Sequence, residues 1–217
     1  MFENKKHVFW QALFVTVLLF LMGFVFGVYI EQLRSDNLST SFYQSEVSLY
    51  DSLALGKITS DSSASCDDLK KISINFADKV YNEAKELEKY DDKNKLTDSI
   101  KTIHKKYDLL RTLLWMNVID IEKKCGAINN VVYLYQYNTD DVVVKSQQVV
   151  WGRLLSDLKT KESDKLILIP IAVDQNIESL NYLINKYGIK NYPAVLINEK
   201  DILYQPKTIE EIENYLK

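Results

Sequence analysis

Cysteine and histidine are scarce in this 217-residue chain: Cys66 and Cys125, His7 and His104, two of each. The two histidines fall on different segments. That inventory is too small for a Cys/His zinc centre, and no metal or other cofactor is expected. Positive charge is not in excess either. The formal net charge is -3, and the lysine pairs at 70–71, 105–106 and 123–124 sit among acids in helical patterns. They read as solvated helix faces, so no nucleic-acid partner is expected. No motif in the chain identifies a reaction. What the chain does have is apolar content, 47%, enough for a real core and against wholesale disorder.

The longest apolar run is residues 8–30, which contains no charged side chain. At 1.5 Å per residue it spans about 34 Å as a helix, enough for a hydrocarbon core of about 30 Å. A cleaved signal peptide would have a shorter run ending in a small-x-small site, and Val28-Tyr29-Ile30-Glu31-Gln32-Leu33 offers none. A retained, single-pass signal anchor is therefore expected, with membrane lipid as its partner. Lys5 and Lys6 precede the run, and Glu31, Arg34 and Asp36 follow it. This flank predicts a cytoplasmic tail of residues 1–7 and an extracytoplasmic C-terminal part at the cell membrane. Gly23 and Gly27 form a G-x-x-x-G, where a second copy of the chain could pack closely; glycine is also simply common in membrane helices.

Residues 31–65 form a serine-rich juxtamembrane segment. Within 39–55, Phe42, Tyr43, Val47, Leu49, Tyr50, Leu53 and Ala54 outline an amphipathic helix closed by Gly56, with a loop at 60–65. Two helical stripes follow in 66–126. One runs Leu69, Ile72, Phe76, Val80, Ala84, Leu87; the other runs Ile100, Ile103, Tyr107, Leu110, Leu114, Asn117, Ile121. The second alternates steps of three and four, the seam of a coiled-coil-like pair. The polar residues 91–97 suit a turn with Thr97 as N-cap, which predicts a long antiparallel hairpin; one continuous helix is the alternative. Cys66 and Cys125 extend the two stripes and lie equidistant from that turn. They should sit at the same height and form a disulfide, two unrelated buried thiols being the alternative.

After Gly126 the period changes. Residues 131–137 read as a buried strand. Val143, Gln147, Val150, Trp151, Leu154 and Leu158 mark a helix. A strand at 166–173, a helix at 177–187, strands at 194–197 and 201–204 and a Thr208/Glu211 capping box complete the chain. The order is β-α-β-α-β-β-α, an α/β class.

That order, together with Tyr187-Gly188-Ile189-Lys190-Asn191-Tyr192-Pro193-Ala194-Val195 and Ala172-Val173-Asp174, resembles the thioredoxin superfamily over residues 130–217. The resemblance implies that Pro193 is the cis-proline opening the third strand. It also implies a groove beside that proline where an extended peptide or protein partner pairs. Tyr192 would be the contact residue, with Asn138, Thr139 and Trp151 on neighbouring elements. The combination of anchor, hairpin and such a domain also resembles archaeal single-pass membrane proteins that carry no known activity. One departure is decisive. Thioredoxin-like oxidoreductases carry Cys-x-x-Cys where the first helix begins, and this chain has Tyr137-Asn138-Thr139-Asp140-Asp141 there. Without a thiolate the domain has no nucleophile. Adjacent carboxylates at 140 and 141 do not share a helix face and are better explained as capping residues. The expected function is a redox-inactive binding or scaffold module rather than an enzyme. The alternative is an atypical thiol-disulfide oxidoreductase using Cys66 and Cys125.

Overall fold

The computed structural model describes the backbone of residues 5–61, 63–91, 98–126 and 128–216, and their side chains except at 5, 6, 34–39, 41, 86–91 and 99. The expected turn with its Thr97 cap, and the side chains of Lys5, Lys6, Arg34, Asp36 and Leu87, lie outside the described residues. In chain order the elements are α1 (Lys5–Ser60), α2 (Cys66–Asp91), α3 (Asp98–Cys125), β1 (Asn130–Tyr135), α4 (Val142–Glu162), β2 (Ile167–Ala172), α5 (Glu178–Lys186), β3 (Ala194–Ile197), β4 (Asp201–Leu203) and α6 (Ile209–Glu213). The fold is mostly helical with one small mixed sheet. It divides into two compact units, Met1–Tyr43 and Gln44–Lys217.

In the first unit, the stretch His7–Leu33 is a helix of 27 residues, long and apolar enough to cross a membrane. Its one hydroxyl before the glycines is satisfied internally: Thr16 Oγ1 donates to the Ala12 carbonyl at 2.9 Å, as an apolar medium requires. No atom comes within 4 Å of where a Cβ would stand at Gly23 or Gly27.

In the second unit, the last turns of α1 pack with the face opposite to the expected one. Ser45, Ser48, Ser52, Leu55 and Thr59 are buried, whereas Val47, Tyr50, Leu53 and Ile58 are exposed, Tyr50 by 70%. The reason is distance of approach. At Gly56 an added Cβ would stand 2.8 Å from Asn117 Oδ1, and Asn117 Nδ2 donates to the Ser52 carbonyl at 3.0 Å. A side chain at 56 would collide with the Asn117 amide, which reaches across from α3. Gly56 is therefore a contact residue inside the helix and does not close it. The helix ends at Ser60, where Lys124 Nζ donates to the carbonyls of Thr59, at 3.2 Å, and Asp61. A cation at that end also suits the helix dipole. On α2, Ser48 Oγ donates to Glu83 at 3.2 Å.

The α3 stripe is buried at every predicted position, from Ile100 to Ile121. On α2, Leu69, Phe76, Val80 and Ala84 are buried, but Ile72 is exposed and Ser73 takes its place inside. Ile72 and Ser73 are neighbours about 100° apart round the helix, so the buried face of α2 is turned slightly from the hydropathic one. Cys66 and Cys125 are bonded, with Cα atoms 5.4 Å apart, joining the first residue of α2 to the last of α3.

The sheet order is β2-β1-β3-β4. β1 runs parallel to β2 and antiparallel to β3, and β4 is antiparallel to β3. Val131, Tyr133, Leu168 and Val195 form one buried face with Trp151, Leu155 and Leu158 of α4. Alternate residues Val132, Leu134, Ile169 and Leu196 are buried on the other face, so both sides are covered, as the continuous apolar strands required. On α4 the expected stripe is partly displaced: Val143 and Val150 are exposed. Trp151 and Leu158, seven residues apart, set the buried line, and Val150 stands about 100° and Val143 about 80° from Trp151 round the helix.

The β3–β4 turn locks onto α3. Glu199 accepts hydrogen bonds from Trp115 Nε1 at 3.0 Å and Asn130 Nδ2 at 2.8 Å, and Trp115 stacks on Tyr187 at 5.5 Å. Burial, with the Glu122 carboxylate nearby, pushes the Glu199 carboxyl up to about 7. The folded chain then holds this proton more tightly than the unfolded chain does. Stability present below about pH 4.5 is lost as pH rises through about 7. Thermal unfolding of the full chain should show a melting temperature several degrees lower at pH 8 than at pH 5, and Glu199→Gln should reduce the difference. An identical pH profile in that variant would show that Glu199 titrates normally.

Candidate functional site

Two concave regions in the second unit have the makings of a site. The first is the end of the sheet where β1 stops and β3 starts. Leu134 pairs with Ala194 across the antiparallel register, which brings Tyr192 and Pro193 alongside the residues that follow Tyr135. The Tyr192–Pro193 peptide bond is cis. Pro193 is buried and Tyr192 half-buried; burial, then the neighbouring Tyr204, raises the Tyr192 hydroxyl. The loop opposite is wired by its own carboxylates. Asp174, just past β2, accepts from the backbone N–H groups of Tyr137 at 2.9 Å and Asn138 at 2.7 Å. Thr139 Oγ1 accepts from the Asp141 N–H at 3.3 Å. Asp141 caps α4, accepting from Val143 N at 2.8 Å and Val144 N at 3.3 Å.

Four of the five predicted groove residues, Tyr192, Pro193, Asn138 and Thr139, thus come to one end of the sheet. Trp151 does not belong with them. It is fully buried in the core and offers a partner no surface; a large aromatic on the sheet-facing stripe of α4 packs before it binds. The start of α4 is an ordinary carboxylate cap, with Asp140 exposed. Both cysteines of the chain are engaged with each other at the far ends of α2 and α3. Among the described residues no cluster of His, Cys, Asp and Glu could hold a metal ion.

The second region was not anticipated. A cleft of about 1010 Å³ opens between α2, α4 and the Tyr133 face of the sheet. Tyr133, Tyr135 and Tyr137 reach it at two-residue spacing from β1 and the loop beyond, Tyr81 and Lys85 from α2, and Arg111 from α3. The signal available in the sequence was the alternation of tyrosines in Val131-Val132-Tyr133-Leu134-Tyr135-Gln136-Tyr137. In a strand, period two puts Tyr133 and Tyr135 on one face, and Tyr137 follows in the loop beyond β1.

No family model matches the chain, and no curated protein does.

Proposed function

We propose that this is a membrane-anchored, redox-inactive thioredoxin-like protein whose exposed part is an extracytoplasmic binding or scaffold module. The observation that carries the reading is the start of α4. The element order and the sheet order β2-β1-β3-β4 support a thioredoxin-like core, yet residues 138–141 hold an aspartate cap where a thiolate would have to be. α2 and α3 act as an antiparallel hairpin tied at its open end by the cystine, a bond that suits an oxidising compartment, in line with the Lys5 and Lys6 flank. A partner peptide would pair its backbone beside Pro193, with Tyr192, Asn138 and Thr139 in contact; strand pairing uses N–H and C=O groups and needs no sulfur. Gly23 and Gly27 leave room for a second copy of the membrane helix.

The test separates this module from an oxidoreductase. In an insulin-reduction assay with dithiothreitol, the full chain in detergent should turn over at background while thioredoxin in the same detergent is active. Turnover near that of thioredoxin, abolished by Cys66→Ser or Cys125→Ser, would make the hairpin cystine catalytic and overturn the proposal.

A further inference from the structure

The tyrosine cleft is separate from the Pro193 groove, and its chemistry points to a different kind of ligand. Its floor is aromatic. Tyr133 and Tyr135 stack with ring centres 5.4 Å apart and planes 19° from parallel, and Tyr137 continues the row. Its charge is of one dominant sign. Lys85, Arg111, Lys145 and Arg153 line it against the single carboxylate of Asp157. Lys85, Lys145 and Arg153 make no ion pair with a carboxylate among the described residues.

Arg111 is the unusual member. It is only 8% exposed, so its charge is held inside the protein. It donates through Nη1 to Asp108 at 3.3 Å, a long contact, while its Nε is buried with no acceptor. A buried guanidinium with an unused donor is costly unless something answers it. Its planar fork is matched to carboxylate, phosphate and sulfonate groups and also stacks on rings.

We infer that this cleft binds a small planar aromatic anion, its ring against the tyrosines and its acidic group toward Arg111, with Lys145 and Arg153 at the mouth. Stacking on tyrosine fits the ring, and cations on the walls select the charge. The volume suits a drug-sized molecule and exceeds what a lone inorganic anion needs. The inference goes beyond the binding module proposed above and does not rest on it. The cleft requires α2 and α3 beside the sheet and makes no use of Tyr192 or Pro193.

The probe is 1,5-naphthalenedisulfonate, titrated calorimetrically into the full chain in lipid nanodiscs, with empty nanodiscs as the blank. Saturable one-to-one binding is expected. Inorganic pyrophosphate, which lacks the ring, and 1,5-dihydroxynaphthalene, which lacks the charge, should each bind at least about tenfold more weakly. Arg111→Gln should weaken the disulfonate by about tenfold or more. Because that change also breaks a buried pair, the exposed double variant Lys145→Gln/Arg153→Gln and the ring variant Tyr135→Leu are measured beside it, with losses of about threefold to tenfold expected. Absence of saturation to roughly 10 mM would overturn the inference. So would equal binding of the neutral ring, or an affinity unchanged by both the double variant and Tyr135→Leu.

Discussion

Asp108→Ala is expected to destabilise the chain by about 3–5 kcal/mol. Asp108 is 2% exposed and is the hinge pin between α3 and the sheet. Its Oδ1 receives Arg111 Nη1 at 3.3 Å and the backbone N–H of Ala172 at 3.2 Å. Burial pushes its carboxyl up to about 6, against the pull of Arg111 and the Ala172 N–H. Near neutral pH it is therefore still largely ionised and answers the guanidinium. Truncation leaves a largely buried cation without its counter-charge and an N–H without an acceptor, and a loss of that size is what breaking such a pair costs. Asp108→Asn keeps an acceptor for Ala172 and should cost clearly less. The pair as a whole is a different matter: taking two charges out of water offsets most of their attraction, so Asp108→Leu with Arg111→Met should recover much of what Asp108→Ala loses. Denaturant unfolding of the four proteins measures this. An Asp108→Ala variant within about 0.5 kcal/mol of the parent would mean that the contact carries no net stability.

Removing the cystine should cost about 4 kcal/mol. The two cysteines are separated by 59 residues in sequence, and in the chain-entropy model a closed loop of that length restrains the unfolded chain by about that amount. For a chain of this size the melting temperature should fall by roughly 10 °C in Cys66→Ser/Cys125→Ser. Reduction of the parent should give the same fall, and reductant should leave the double variant unchanged. The consequence is not confined to the bond. Lys124, next to Cys125, holds the end of α1 through the Thr59 and Asp61 carbonyls, so fraying of α3 should release residues 57–60 as well. A melting temperature unchanged by both treatments would show that side-chain packing alone fixes the helix ends.

What could be read from residues alone followed the range of the forces involved. The capping box at Thr208 and Glu211 is a contact three residues long and is present as expected. The strand at 194–197 is found at those residues, because an apolar run between turn residues sets its own limits. The α3 stripe and the cystine were legible because each needs only helical periodicity and a facing partner. The face of α1 was not. Hydropathy puts Val47, Tyr50 and Leu53 inside, but the buried face carries Ser45, Ser48, Ser52, Leu55 and Thr59, and the Asn117 amide that excludes a side chain at Gly56 is there only once α3 is in position. The exchange of Ile72 for Ser73 inside α2 is likewise a matter of tertiary packing, which hydropathy does not carry. For the candidate groove, Tyr192, Pro193, Asn138 and Thr139 are grouped by the thioredoxin resemblance, and the register of β1 with β3 brings them to one end of the sheet. Trp151 could not be separated from them, because the rotation of α4 is fixed by packing. The tyrosine cleft draws on residues from Tyr81 to Pro170, five elements that no local pattern joins.

The edge strand β2 has a consequence for self-association. Ile167 N donates to the Asn129 carbonyl at 2.9 Å and Val173 N to the Tyr135 carbonyl at 2.8 Å, so the odd-numbered residues turn their N–H groups inward to β1. The even-numbered residues turn theirs to the open side. There Pro170 has no N–H at all, and the N–H of Ala172 is taken by Asp108. At the opposite margin β4 is only three residues long. A neighbouring chain looking for a sheet to extend finds one border with its donors missing at 170 and 172 and the other only three residues long. Strand-by-strand polymerisation of this domain is disfavoured at both edges, although its strands are apolar enough to invite it.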